Sequence, residues 1–205
     1  MSAILKNAAE FEVSKLTLND ENQKLENFIR CLGKREGVAY GSTALLYAGE
    51  PVIIQTPWLT CPFGLSPPFG NNNDDSPFTL ALTVDDTSFR EFIETIQTAI
   101  DDLVESKGKG IKRLSSSTLL KQKSDKFAPL LSFTVDDTTE GVDEIDEGVF
   151  KSKMVRGLLH LQYVWYNSKS RGIRVHAVRL QSKEADVQKK KTERQIFQTE
   201  YMFHD

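Results

Sequence analysis

A chain of 205 residues with 39% hydrophobic and 27% charged side chains can bury one substantial core, and two independent domains would be tight. The net charge of −3 and a pI near 5.7 supply no whole-protein attraction to a polyanion, which counts mildly against nucleic-acid binding. There is no run of the roughly 18 apolar residues a membrane span needs, and the start lacks the basic flank and apolar core of a secretory signal, so a soluble intracellular protein is expected.

The charge is segregated along the chain. Acid concentrates in residues 136–147, DDTTEGVDEIDE, and base in 107–126, 151–179 and 189–194, so a basic groove is compatible with an acidic total. Cys31 and Cys61 match no zinc spacing and read as two reduced thiols. No cofactor or metal is expected.

Residues 1–40 read as a helical or extended segment packed on the main domain. Leu25, Phe28, Ile29 and Leu32 follow helical spacing, with Gly33 as a C-cap, and predict a short helix over 19–32. Runs 42–48 and 52–56 are β-rich, separated by Gly49, Glu50 and Pro51, and read as an antiparallel hairpin. Residues 51–65, PVIIQTPWLTCPFGL, run from that strand into a loop where Pro57 and Pro62 restrict the backbone and hold Trp58 and Phe63 in fixed directions. Residues 67–76, PPFGNNNDDS, form a long turn-rich loop.

Phe78, Leu80, Leu82 and Val84 alternate with polar or small residues, as in a half-buried strand. Over 86–105 the stripe of Phe89, Phe92, Ile93, Ile96, Ile100, Leu103 and Val104 predicts a long helix, with Ser88 and Glu91 as a capping box. Residues 109–127 are basic and Ser-rich, a loop or irregular edge strand. Residues 130–135 read as a short strand and 136–148 as a solvated acidic loop. Residues 158–166 and 172–181 form a closing hairpin, and the charged tail 183–205 ends in Tyr201, Phe203 and His204.

The expected fold is therefore α+β and mainly antiparallel, an OB-like barrel or curled sheet with one long central helix, spanning 41–182. No βαβ alternation suggests a doubly wound nucleotide fold. Phosphate-loop, nucleophile-elbow and dinucleotide motifs are absent, and His160, His176 and His204 stand in no metal-ligand spacing. The Asp pairs at 74–75, 85–86, 101–102 and 136–137 are explained by turns, caps and exposed helix faces rather than by a metal-dependent nuclease. The chain reads as a non-enzyme.

Single-stranded nucleic acid needs rings for its bases and cations for its phosphates on one surface. The closing hairpin carries both: Tyr163, Trp165 and Tyr166 lead into Lys169, Arg171 and Arg174, with Arg156 just before and Arg179 after. Strict alternation places Leu159, Leu161, Tyr163 and Trp165 on one face and His160, Gln162, Val164 and Tyr166 on the other. On that reading Trp165 belongs to the core, while Tyr166, with Arg174 across the turn and His160 beside it, faces the ligand. Trp58 and Phe63 are candidate stacking rings, and Lys112, Arg113, Lys121 and Lys123 candidate phosphate contacts. Burial of each ring and simple solvation of the basic loop are the alternatives.

The segment IIQTPWLTCPFGL resembles the signature of the single-stranded DNA-binding proteins of nucleocytoplasmic large DNA viruses, including those of algal viruses. The matching positions are Gln55, Thr56 and Pro57, then Pro62, Phe63, Gly64 and Leu65. The resemblance extends through FTLALTVDD, FREFIETIQTAIDDLV and GIRVHAVRLQ as a shared order of elements over about 40–180. It implies an OB-like barrel that binds single strands with little sequence preference in viral replication, recombination or repair, at replication sites in host cytoplasm or nucleus. The acidic total and the run at 136–147 depart from the pattern; that run could mimic nucleic acid and cover the groove. Single-stranded DNA is the expected partner, with RNA, a second copy of the chain and replication proteins as further candidates. The rival reading is a virion or assembly protein that docks a partner through the aromatic loop and the tail residues Ile196, Phe197, Tyr201 and Phe203.

Overall fold

A computed structural model of the chain describes residues 4–19, 41–67, 77–107, 114–122, 124–143, 145–167 and 169–185. The expected helix at 19–32, the loop at 67–76, Cys31, Lys112, Arg113, Lys123 and most of the tail lie wholly or largely outside these residues.

The described chain is mostly sheet with one α-helix. Its strands are β1 (Ile4–Leu5), β2 (Leu16–Leu18), β3 (Gly41–Tyr47), β4 (Glu50–Gln55), β5 (Leu59–Thr60), β6 (Phe78–Thr83), β7 (Ser115–Ser116), β8 (Leu120–Lys121), β9 (Leu130–Val135), β10 (Lys153–Tyr166) and β11 (Ser170–Glu184). Helix α1 spans Thr87–Lys107. Most pairings are antiparallel, but β1–β4, β7–β11 and β9–β11 are parallel, so the sheet is mixed. The pairings β10–β5, β5–β6, β6–β9, β9–β11 and β11–β10 close a ring of strands. Residues 4–19 join the same sheet through β1 on β4 and β2 on β3.

Helix α1 follows its periodicity. Phe89, Phe92, Ile93, Ile96, Ile100 and Val104 are buried, together with Ala99, and pack on β2 and the turn before it, where Phe11 meets Phe92 edge-on at 6.4 Å. The cap is Asp86 rather than the expected Ser88: its Oδ1 accepts from the Phe89 amide at 2.8 Å, satisfying a donor that the first turn leaves unpaired.

The β3–β4 hairpin departs from the expected paired ladder. The two strands pair with each other only at Leu46↔Pro51 and Tyr47↔Glu50, around a turn where Ala48 and Gly49 have φ of 52° and 81°. Their outer halves instead lie end to end along β10, Gly41–Ala44 on Tyr163–Tyr166 and Val52–Gln55 on Leu158–Leu161. The hairpin is thus an excursion from one long line of pairing, and it leaves that line opposite Gln162.

The rigid loop after β4 is held from both ends. Thr56 is buried; its amide donates to the Gly157 carbonyl at 2.9 Å, and its hydroxyl oxygen accepts from the Gly157 amide at 2.8 Å. The Cys61 amide donates to Lys153 and the Leu65 amide to Val149. Gly64, at φ 77°, comes so close to Gly148 that an added Cβ would lie 2.7 Å from its backbone, a position that only glycine fills without strain. Cys61 is fully buried; burial raises its thiol pKa, against the opposing effect of the Gly64 and Phe63 amides. The Q-T-P and P-F-G-L elements therefore tie the loop to the start of β10 and to Gly157.

Candidate nucleic-acid interface

Strands β10 and β11 form a twisted ribbon whose inner face supplies much of the core. Val155, Leu159, Leu161 and Val164 of β10 are buried, as are Val175, Ala177 and Leu180 of β11. The spacing between Leu161 and Val164 is three, not two. The register explains it: Leu161 opposes Val175, yet Tyr163 opposes Arg174, so Gln162 is an extra residue in β10. Such a bulge exchanges the two faces of everything beyond it.

This reverses the expected sorting of the rings. Beyond the bulge Val164 and Tyr166 point inward, and Tyr163 and Trp165 point outward with His160. Tyr166, expected at the surface, packs against the core, with its ring where a Cβ on Gly41 would be. Trp165, expected in the core, is only partly buried and lies on the outward face over Gly172, where a Cβ would come within 2.6 Å of the indole. Directly opposed residues of antiparallel strands share a face, so the pairs Arg156↔Gln181, Leu158↔Arg179, His160↔His176, Tyr163↔Arg174 and Trp165↔Gly172 form one outward stripe. Ser42 and Ala44 of β3, opposite Trp165 and Tyr163, and Ile53 and Gln55 of β4, opposite His160 and Leu158, flank it.

Trp58 stands at one end of the stripe. The Arg156 guanidinium lies 5.0 Å and the Lys183 ammonium 4.7 Å from its ring centroid, a geometry in which the ring quadrupole attracts the cations. Arg156 also donates to the Gln181 Oε1 at 2.6 Å. Phe63, 60% exposed, sits at the same end, in the loop pinned to the first residues of β10. From Arg156 to Trp165 the stripe runs about 25–30 Å at roughly 3.3 Å per residue.

The electrostatics divide the cations into two groups. Among the described residues Arg156, Arg174 and Lys183 have no carboxylate partner, whereas Arg179 forms a two-nitrogen ion pair with Glu140, and His176 Nε2 lies 3.0 Å from Asp136 Oδ2. Burial pushes the Asp136 carboxyl up, but hydrogen bonds from Thr138 and His176 outweigh it and hold the group below the usual carboxylate range. Burial, with the charge of His176 opposite, lowers the pKa of His160.

The other expected contacts lie elsewhere. Arg171 is 4% exposed and faces helix α1, donating to Asp101 Oδ1 at 2.9 Å, with Glu105 at 4.0 Å. It cannot reach a ligand on the outer face because the inward position opposite Tyr166 commits it to the helix. Lys169 is exposed in the turn beyond the Trp165 end of the ribbon, and Lys121 is exposed on the short strand β8, paired with β9. Arg156 and Arg179 stand in the sequence on either side of the hairpin's rings and cations, but Arg179 joins His176 on the outward face only through the register shift that leaves Val178 unopposed; Lys183 is the residue that the sequence did not single out.

No protein-family profile matches the chain, and no curated protein matches it. One solved structure to which it is similar is the single-stranded DNA-binding protein from bacteriophage Enc34 in complex with ssDNA, at TM-score 0.43 and 9% identity, over 70% of this chain and 91% of that one.

Proposed function

We propose that this protein is a non-enzymatic single-stranded DNA-binding protein of OB-like architecture that holds the strand, with little sequence preference, on the outer face of the β10–β11 ribbon. The observation that carries the reading is the bulge at Gln162, which brings Tyr163 and Trp165 onto the face that holds Arg156, His160, Arg174 and Arg179. Bases stack on the two rings because every base has a π-face, and the arginines neutralise phosphates. Trp58 seats two cations at the far end, and Phe63 and Lys169 extend the surface at its two limits. The resemblance of residues 55–65 to the viral family adds a role in replication, recombination or repair of a viral genome.

Fluorescence anisotropy with labelled oligo-dT tests the reading. The single strand binds well above the matching duplex, and log K falls against log salt with a slope of about −0.7 for each phosphate contacted. Trp165→Ala costs about 1–3 kcal/mol of binding, the contribution of one stacked base, while the far-UV spectrum is unchanged. Equal affinity for duplex and single strand, or full affinity in the Trp165 variant, contradicts the proposed surface.

A further inference from the structure

The acidic segment after β9 is not a free loop. It continues beside β11 as a strap: the Thr139 hydroxyl donates to the Ala177 carbonyl at 2.9 Å, the Glu140 amide to Val178 at 2.9 Å, and the Leu180 amide back to the Glu140 carbonyl at 2.8 Å. Gly141, at φ 81°, passes so close to the Leu180 carbonyl that an added Cβ would lie 2.1 Å from its oxygen. The strap backbone is therefore locked, while two of its carboxylates reach the outward stripe: Asp136 to His176 and Glu140 to Arg179. The Arg179–Glu140 pair is exposed on both sides, 54% and 59%, where water can replace either partner.

Resting on the single-strand reading above, we infer that Glu140 and Asp136 stand in for phosphates in the unbound protein, so that the nucleic acid engages the β11 edge by exchanging a phosphate for a carboxylate on Arg179. A carboxylate held by two guanidinium nitrogens occupies the same donor fork that a phosphate would use. Exchange is feasible because an exposed ion pair is weak and screened. The locked backbone keeps the displaced carboxylate close by, which weakens the hold at this edge and leaves most of the electrostatic grip to Arg156, Arg174 and Lys183, which face no carboxylate among the described residues. It also reconciles a net charge of −3 with a binding surface for polyanions.

Oligo-dT titrations of the wild type, Glu140→Gln, Arg179→Gln and the double variant form the test, each protein first checked for an unchanged melting temperature. Glu140→Gln keeps the strap's backbone bonds; it is expected to bind about 2–5-fold tighter, with a salt slope steeper by about 0.7. Arg179→Gln costs little alone and several-fold in the Glu140→Gln background, a coupling that two independent sites would not give. If Glu140 only props Arg179 in place, Glu140→Gln binds the same or more weakly. That result, with the wild type still binding, overturns this inference and leaves the ribbon reading intact. Absence of binding in all four proteins overturns both.

Discussion

At the scale of single residues, the ribbon's chemistry turns on which way a side chain points and what stands opposite. His160 and His176 face each other at the middle of the outward stripe, and the first is partly desolvated with its pKa lowered. The sign of the consequence follows directly. Above about pH 6.5 the imidazole is neutral in folded and unfolded chains alike, so His160 adds no pH dependence. As pH falls below that value the unfolded chain takes the proton first, and stability decreases until the folded value is passed. A phosphate beside His160 favours the charged ring, so strand binding takes up a proton. We expect oligo-dT affinity to rise as pH falls from 7 to 5.5 and His160→Gln to flatten the profile; a profile identical in the two proteins removes His160 from the site. Asp136 behaves oppositely in folding: its contribution is present above the usual carboxylate pKa and is lost as pH falls through its lowered value.

At the scale of elements, the bulge in β10 decides the outcome. A strand pattern has period two, and one inserted residue moves every side chain beyond it to the other face. The composition of residues 158–166 already contains the rings and the buried aliphatics, yet strict alternation assigns Trp165 to the core and Tyr166 to the ligand, the reverse of the structure. The bulge has a partner: the β3–β4 hairpin leaves the β10 ladder opposite Gln162, so the local irregularity in one strand matches an excursion in its neighbour. Deleting Gln162 restores the period and sends Trp165 inward and Val164 outward. The expected result is a fall in stability of about 2–5 kcal/mol, the range for misplacing a large core side chain, with loss of oligo-dT binding. Denaturant unfolding measures the first, and wild-type stability in the deletion variant would show that Gln162 does not set the register.

At the scale of the whole molecule, helix and ribbon are joined through one buried cation. Arg171 extends from β11 to Asp101 on α1, and Asp101 also accepts from Ser116 beside β11 and from Gln97. Gln97 in turn accepts from the Leu119 amide at 2.9 Å. A charge taken out of water needs its partner, and removing one member of such a pair leaves the other uncompensated. Asp101→Ala is expected to lower unfolding free energy by about 2–4 kcal/mol, below the top of the range because Asp101 is partly exposed. A chemical-denaturation midpoint reads it; an unchanged midpoint would mean that Glu105 alone satisfies Arg171.

Periodicity and local turn chemistry, both short-range, are legible in the amino-acid order: the apolar stripe of α1, the alternation of β6 and the hairpin turn at Gly49. Residue order also places rings and cations together in the closing hairpin. Whether they meet on one surface is a long-range matter. It depends on the bulge at Gln162, on β3 and β4 sharing β10, and on the acidic strap settling beside β11, and each of these is set by pairing between residues far apart in the chain. Charge totals cannot reveal such pairings, because an ion pair such as Arg179 with Glu140 sums to zero wherever its members stand. Only packing in three dimensions decides which cations remain open to a polyanion.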